Sequence, residues 1–204
     1  FSIADYGEIN IYITALAMGY DRNSLGDFDR LNNKAFKEKL ATLLGNAHSL
    51  WVGVDTADDL QQKKLASSWG FSLPELKQRG ETWKWAYPKE GVPGWIDNHV
   101  LSQDLANKPE LKRIAEEWIN FTISAEFQTS VLVEALSTNP VNMITVDTAT
   151  DKQKRGFYAK SLNDPQAFIV LMPELDRRTR NGMDNLWNKA LKNFTTNSKS
   201  ADTK

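Results

Sequence analysis

The chain has 204 residues, of which 41% are hydrophobic and 25% are charged, and this composition suits one sizeable domain or two small ones with a real core. The net charge of −1 at pH 7 gives no global field that would attract nucleic acid or an anionic membrane. No apolar run approaches the roughly 18 residues that span a bilayer, and the absence of cysteine excludes disulfides, thiol catalysis and zinc–thiolate sites. Because the chain starts at Phe1 without a signal segment, we expect it to be a piece of a longer protein.

Helices alternate with short strands over the first 80 residues. Apolar residues at helical spacing predict helices in EINIYITALAMGY, KAFKEKLATLLGN, TADDLQQKKLA and SLPELKQRG. Thr56 and Asp59 form a loose capping box, and Gly19, Gly45 and Gly80 are stop signals. SLWVGV and SSWGF are predicted to be short strands. The alternation is typical of an α/β fold.

Alternating aromatic residues predict two further strands, TWKWAY and GWIDNHVL, of which the second places Trp95 and Asp97 on one face. Helices dominate afterwards. We predict one in NKPELKRIAEEWINFTIS, a second in SAEFQTSVLVEAL with Ser124 as its cap, and a last one in LDRRTRNGMDNLWNKALKNF. Residues 145–172 read as mixed loop and short elements, and the polar tail over 195–204 is predicted to be disordered.

Two groups of acidic residues are candidates for a binding site. Asp5 and Glu8 form a D-x-x-E pair just before the first helix, which reads either as an N-cap with its capping-box partner or as two carboxylates at the mouth of a pocket. Asp97 is either an edge-strand acid beside a core tryptophan, Trp95, or part of a site in which a ring and a carboxylate face one ligand. The second reading favours a cation, because a carboxylate offers charge-assisted hydrogen bonds and a ring face offers cation–π attraction.

Catalytic and metal-binding patterns are absent from the sequence. His48 and His99 lack the spacing of metal ligands, and no G-x-S-x-G, P-loop or G-x-G-x-x-G motif occurs. Paired acids could serve glycoside hydrolysis, but that reaction requires a carboxylate separation which a sequence does not give. Arg177, Arg178 and Arg180 form either a solvated face or an anion grip or docking patch.

The stretch YPKEGVPGWIDN, residues 87–98, resembles the spermidine/putrescine-binding family of bacterial solute-binding proteins, which deliver substrate to ABC importers. The resemblance rests on PKEG followed by Trp-x-Asp, and it continues in ALAMGYDRNS, SSWGFSLPELKQRG and WINFTISAEFQ. It covers most of residues 5–142 and departs from the family at Ser137, where the family often has an aromatic residue.

The resemblance implies a periplasmic-binding-protein-like (type II) α/β fold. In that fold this chain supplies the second lobe and the segments that cross to the first lobe, which is largely missing. Residues 1–90 would be the core of the second lobe, 91–148 the hinge crossing and a first-lobe segment, 149–194 a return segment and helix, and 195–204 the tail.

The implied function is reversible binding of a small cationic solute, above all a polyamine such as spermidine or putrescine, without chemistry or cofactor. Asp5, Glu8 and Asp97 would meet the ammonium groups, and Trp69 and Trp95 would be aromatic walls for the methylenes. The implied partner is the membrane permease of an ABC importer, and the implied setting is a monomer in the periplasm or attached to the cell envelope, without nucleic acid.

Three alternatives stay open at this stage. The ligand is another small metabolite, for example a zwitterion that uses the arginines near residues 174–177. The chain is a ligand-sensing partner of a membrane receptor. A third, more distant alternative is an enzyme with two working carboxylates.

Overall fold

The computed structural model describes residues 1–86, 88–136, 138–148 and 169–201, with side chains of the last helix described up to Phe194. The protein is a mixed α/β protein in which helices predominate and the strands form small parallel sheets. The chain divides into two compact units, one made of Phe1–Gly94 with the C-terminal stretch from residue 168, and the other running from Trp95 to residue 167. The assignment of these stretches to the lobes of a two-lobed protein stays a prediction.

The regular elements are short apart from four helices. The strands are β1 (Ser2–Ala4), β2 (Ser49–Trp51), β3 (Val92–Gly94) and β4 (Ile169–Leu171). The α-helices are α1 (Gly7–Ala17), α2 (Phe28–Leu31), α3 (Lys34–Asn46), α4 (Ala57–Leu60), α5 (Leu73–Gln78), α6 (Pro109–Thr122), α7 (Ala125–Phe127), α8 (Met143–Thr148) and α9 (Arg177–Ala201). A π-helical segment covers Gln128–Ala135, and 3₁₀ turns cover Arg22–Ser24 and Gln103–Leu105.

The core of the first unit lies where α1, α3 and α9 pack together. Tyr12, Leu40 and Leu44 are buried there, together with Met183 and Leu186 of α9. Burying such side chains supplies most of the free energy of folding, at about 25 cal/mol per Å² of apolar surface. The apolar periodicity of the sequence therefore predicted these helices correctly.

The ends of the helices show which of the predicted stop glycines terminate a helix. Gly19 has φ +76° just after α1, as a stop glycine requires, and Gly80 has φ +84° just after α5. Gly45 lies inside α3, which continues to Asn46, so its predicted role as a stop is wrong. At the other end of α3, the Asn33 side chain accepts a hydrogen bond from the Phe36 N–H at 2.9 Å and caps the helix.

The two sheets are parallel pairs of strands in the first unit. In the first sheet, Ser2 pairs with Ser49 and Ala4 with Trp51, and in the second, Val92 pairs with Ile169. The stretch predicted as a strand around SSWGF contributes only an isolated bridge between Ser2 and Ala66. A connection of many residues joins the strands of each pair, as parallel pairing requires.

A second, smaller apolar cluster lies beneath α4 and α5. Ala57, Leu60 and Leu76 are buried in it, and Trp83 packs against them. The Asp59 carboxylate accepts a hydrogen bond from the Thr56 N–H at 2.9 Å, so the predicted capping contact at the start of α4 is confirmed.

Three stretches differ from the sequence-based expectations. Residues 82–86 and 95–102 form no strand, and Tyr87 lies outside the described residues. Alternation alone did not produce a strand there, because a strand also needs a partner that accepts its hydrogen bonds. In the predicted disordered tail, α9 continues to Ala201, since a helix that is already formed gains one backbone hydrogen bond for each added residue.

The second unit contains α6, α7, the π-helical segment and α8. The Ser124 side chain accepts a hydrogen bond from the Phe127 N–H at 3.2 Å, which confirms the predicted cap. The buried Gln128 side chain accepts hydrogen bonds from the N–H groups of Val141 and Asn142, at 2.8 and 2.9 Å, and so fixes the chain before α8. In the described part of the chain, no helix combines the length and the apolar character that a bilayer crossing requires.

Candidate functional site

The candidate site lies at the carboxyl ends of β1 and β2. The Asp5 N–H donates a hydrogen bond to the Trp51 carbonyl at 2.7 Å, so the two strands end side by side. The next element after Asp5 is α1, whose first turn contains Glu8. Ligands of α/β proteins characteristically bind outside the carboxyl ends of parallel strands, near the N-termini of the following helices.

Three aromatic rings meet at this edge, and we call Tyr6, Trp51 and Trp69 the aromatic cluster. The Trp69 ring centroid lies 5.9 Å from that of Tyr6 and 5.3 Å from that of Trp51, both in edge-to-face geometry. Trp51 is only 3% exposed, whereas Tyr6 is 47% exposed. The Trp51 indole N–H is buried and has no hydrogen-bond partner among the described residues, so packing rather than hydrogen bonding holds this ring. The cluster therefore has a buried base and an accessible rim.

The Trp69 loop is anchored by Asp55, which the sequence analysis missed. The Asp55 side chain is buried, and its Oδ1 accepts a hydrogen bond from the Trp69 N–H at 2.7 Å. Its Oδ2 accepts hydrogen bonds from the hydroxyl groups of Ser68 and Ser72. The Trp69 indole N–H donates to the Gly53 carbonyl at 3.1 Å. Both the backbone and the ring of Trp69 are thus fixed by hydrogen bonds.

Asp5 is held by the C-terminal helix rather than by α1. The Trp187 indole N–H donates a hydrogen bond to Asp5 Oδ1 at 2.8 Å. The N-cap of α1 is Tyr6, which makes no side-chain capping bond, so the reading of Asp5 as the N-cap of this helix is wrong. The cap fails because the chain is still extended at Asp5 when the helix begins two residues later. The other reading, a carboxylate at the mouth of a pocket, stays a prediction for Asp5.

Glu8 lies in the first turn of α1 and accepts a hydrogen bond from the buried Tyr12 hydroxyl at 3.1 Å. Burial raises the pKa of Tyr12 well above its ordinary value, the Glu8 carboxylate raises it further, and the charge of Arg180 acts in the opposite direction. The positive end of the helix dipole stabilises a carboxylate in the first turn. Glu8 is therefore an acidic side chain held in the first turn of α1, three residues after Asp5 in the sequence.

The remaining two predicted site residues belong to the second unit. Trp95 is 46% exposed, and Asp97 is also exposed, on backbone without regular secondary structure. The structure thus brings Asp5, Glu8 and Trp69 into the first unit, next to rings that the sequence analysis did not assign to the site. The missed residues gave weak signals, because Trp51 lies in a predicted strand and Trp187 lies in a predicted helix.

The three arginines near the start of α9 are all exposed. The Arg178 guanidinium lies 3.4 Å from the Asp29 carboxylate, with both side chains largely in solvent, so this ion pair contributes little to stability. Asp176 caps α9, and the hydrogen bond from the Thr179 N–H lowers the pKa of the Asp176 carboxyl. This arrangement fits the solvated face better than an anion grip.

Two clefts in the first unit lie away from the aromatic cluster. One, of about 370 Å³, is formed by α2, α3 and α9. The other, of about 150 Å³, is formed by the α2 region and the start of α9. Arg178 lines the second cleft, whereas none of the five residues predicted to bind a cation lines either cleft.

No group of three or more histidine, aspartate or glutamate side chains that could hold a metal ion occurs in the part of the chain that the structure describes. His99 instead lies beside Thr122, with 3.3 Å between its Nε2 and the hydroxyl oxygen. Comparison with protein-family models, with curated proteins and with solved structures gave no match to this chain.

Proposed function

We propose that this protein reversibly binds a small organic cation, with a polyamine such as spermidine or putrescine as the preferred ligand, and performs no chemistry on it. The observation that carries this proposal is the combination of the aromatic cluster with two carboxylates, Asp5 and Glu8, at the carboxyl ends of the parallel strands β1 and β2. The resemblance of YPKEGVPGWIDN to the polyamine-binding family supports the same ligand class.

The chemistry of the ligand matches these groups. A polyamine is a flexible chain of methylenes between ammonium groups, so it requires acceptors for the charges and flat apolar surfaces for the methylenes. Asp5 and Glu8 each use one carboxylate oxygen on a protein donor, Trp187 and Tyr12 respectively, and these bonds orient the carboxylates in advance. An ammonium group over a ring face gains cation–π attraction in addition. Preorganised acceptors and rings reduce the entropy that binding costs.

The wider setting follows from the resemblance. We propose a type II periplasmic-binding-protein-like fold, a location in the periplasm or at the cell envelope, and delivery of the ligand to the permease of an ABC importer. The mixed α/β architecture with parallel strands is compatible with that fold.

Calorimetric titration of the protein with spermidine and putrescine tests the ligand class. We expect saturable binding of a polyamine and none of a sugar or of inorganic phosphate. Asp5→Asn should weaken polyamine binding by at least about tenfold, because removing one partner of a desolvated charge pair costs about 2–5 kcal/mol of binding free energy. Asp184→Asn, an exposed acid on α9, is the matched control and should leave the affinity unchanged.

Two outcomes of these titrations would overturn the proposal. If the titrations show heat of binding only with a sugar or with phosphate, the cationic ligand class is excluded. Binding of a zwitterionic amino acid without binding of a polyamine would favour the alternative ligand, in which a cation such as Arg180 meets a carboxylate.

The role of Asp97 requires its own variant, because this residue belongs to the second unit. Asp97→Asn keeps the shape of the side chain and removes the charge. If Asp97 meets an ammonium group, polyamine affinity should fall at least about tenfold while the melting temperature of the ligand-free protein stays constant. Asp104→Asn in the same unit is the control. Wild-type affinity of Asp97→Asn would show that the Trp-x-Asp resemblance does not extend to ligand contact.

A further inference from the structure

We propose that Asp55 is a positioning residue of the binding site, which fixes the Trp69 ring as a rigid wall and acts on the ligand only through that ring. The inference rests on the proposed function for its effect on ligand affinity. The positioning of Trp69 itself can be measured without any ligand.

The geometry around Asp55 carries this inference. Asp55 is 3% exposed and follows β2 by four residues, while Trp69 lies in a loop of irregular backbone. One carboxylate oxygen accepts the Trp69 N–H at 2.7 Å, and the other accepts the hydroxyl groups on either side of that loop, from Ser68 and Ser72. A single buried side chain thus ties the loop at three points around the tryptophan.

The same loop is tied to the strands that lead into the site. The Ser67 hydroxyl accepts a hydrogen bond from the Ala4 N–H at 2.8 Å, one residue before Asp5. The Ser68 hydroxyl also accepts a hydrogen bond from the Gly70 N–H at 2.8 Å. Because the backbone on both sides of Trp69 is held, its ring keeps its edge-to-face contacts with Tyr6 and Trp51 before a ligand arrives.

A buried carboxylate could also act by its charge, as a third acid near a cationic ligand. Substitution of Asp55 by an amide distinguishes the two roles, because an amide can replace the hydrogen bonds of the carboxylate but not its charge. Asn at position 55 retains one acceptor for the Trp69 N–H, and serine hydroxyls can accept from its NH₂ group, so an amide keeps the loop in place but carries no charge. Ala keeps neither the hydrogen bonds nor the charge.

The experiment is a set of variants titrated with spermidine in a double-mutant cycle. We expect Asp55→Ala to weaken binding by about tenfold, and Asp55→Asn to stay within about threefold of the wild type. In a Trp69→Ala background, Asp55→Ala should cause less than about a twofold further loss, because the wall that Asp55 positions is already gone. An equal loss with Asn and Ala would show a role for the charge, and a full loss in the Trp69→Ala background would show an effect that bypasses the ring. Either result overturns the proposal.

Near-ultraviolet circular dichroism separates this proposal from the proposed function. Edge-to-face indole rings give a signal that depends on their mutual geometry, so Asp55→Ala should reduce the part of the spectrum that Trp69→Ala also removes, while Asp55→Asn should preserve it. If the wild type binds no polyamine but the spectra change in this way, the proposed function fails and the positioning role stands. An unchanged spectrum in folded Asp55→Ala contradicts the positioning role. If Asp55→Ala does not fold, Ser72→Ala removes one of the three ties and should produce the same loss of signal in part.

Discussion

The contact between the first and last helices of the first unit can be tested at a single glycine. Gly7 begins α1, and the buried Trp187 of α9 lies directly against it. A Cβ at Gly7 would lie 2.7 Å from Trp187 Cγ and 2.8 Å from Trp187 Cβ. The second distance matters more, since Trp187 Cβ is fixed to the helix backbone and cannot move away by a ring rotation. Gly7→Ala therefore requires a shift of α1 or α9.

The magnitude follows from two opposing contributions. Inserting a methyl group into a packed contact costs about 1–3 kcal/mol. Replacing a helical glycine with alanine gains up to about 1 kcal/mol, because glycine loses more backbone freedom on folding. We expect Gly7→Ala to lower the free energy of unfolding by about 1–2 kcal/mol. Gly45→Ala is the matched control, since Gly45 lies inside α3 and a Cβ there meets no atom within 4 Å.

Thermal unfolding followed by far-ultraviolet circular dichroism measures both variants. A change of 1 kcal/mol shifts the melting temperature by about 2–4 °C in a chain of this size. Gly45→Ala should melt above the wild type and Gly7→Ala below it. The reasoning is refuted if Gly7→Ala melts as high as Gly45→Ala, because Trp187 would then not be seated on α1. The same displacement would move the indole donor away from Asp5, so the polyamine binding proposed above should weaken in Gly7→Ala and not in Gly45→Ala.

Two further predictions concern the core and the surface. The pKa of Tyr12 is raised above its ordinary value of 10.0 by burial and then by Glu8, so this group contributes stability that is present below pH 10 and is lost as the pH rises above it. Tyrosinate absorbance below about pH 11 should therefore be the same in Tyr12→Phe as in the wild type, and a smaller amplitude in the variant would contradict the burial. On α6, Ile114 is 53% exposed, so Ile114→Ala should change the unfolding free energy by less than about 0.5 kcal/mol, whereas Leu40→Ala, at a fully buried position, should cost about 2–5 kcal/mol. Equal costs in urea unfolding would show that the α6 face is covered.

The helices could be predicted because their signals are local. Each of α1, α3 and α6 repeats apolar residues at helical spacing, and α6 also begins with Pro109 at its first turn. In α6 the spacing of the apolar residues predicted the helix but not whether its apolar face is buried. Leu111, Ile114 and Trp118 are all more than half exposed, because periodicity specifies a face and not what covers it.

The strands could not be predicted as well, because pairing is not local. β3 is the short stretch Val92–Gly94, and its partner β4 begins at Ile169. Gly94 is required at this contact, since a Cβ there would lie 2.5 Å from the Ile169 side chain. The alternating aromatics on either side of β3 gave a stronger strand pattern than β3 itself, yet no partner strand lies beside them in the described residues.

The candidate site could not be predicted fully for the same reason, because the contacts that fix it are not local in the sequence. Asp5 was chosen from its chemistry and Trp69 from the family resemblance, but the groups that fix them are 182 and 14 residues away in the sequence, in Trp187 and Asp55. The sequence therefore identified which side chains suit a cation, and only the fold identified which of them are held in place.

Whether a side chain is held in place by its own unit determines how the effects of variants in the two units should be compared. Asp5 and Trp69 are supported by the core of the first unit, so their geometry exists before the ligand binds. In the described part of residues 95–148, the buried apolar residues are Pro140 and Val146, and Asp97 is exposed on backbone without regular structure. A contact made by Asp97 would include the cost of fixing its exposed side chain, at about 0.5–1.5 kcal/mol. In the proposed site, a loss of affinity in Asp5→Asn would therefore report the contact itself, whereas a loss in Asp97→Asn would report the contact after that cost has been subtracted.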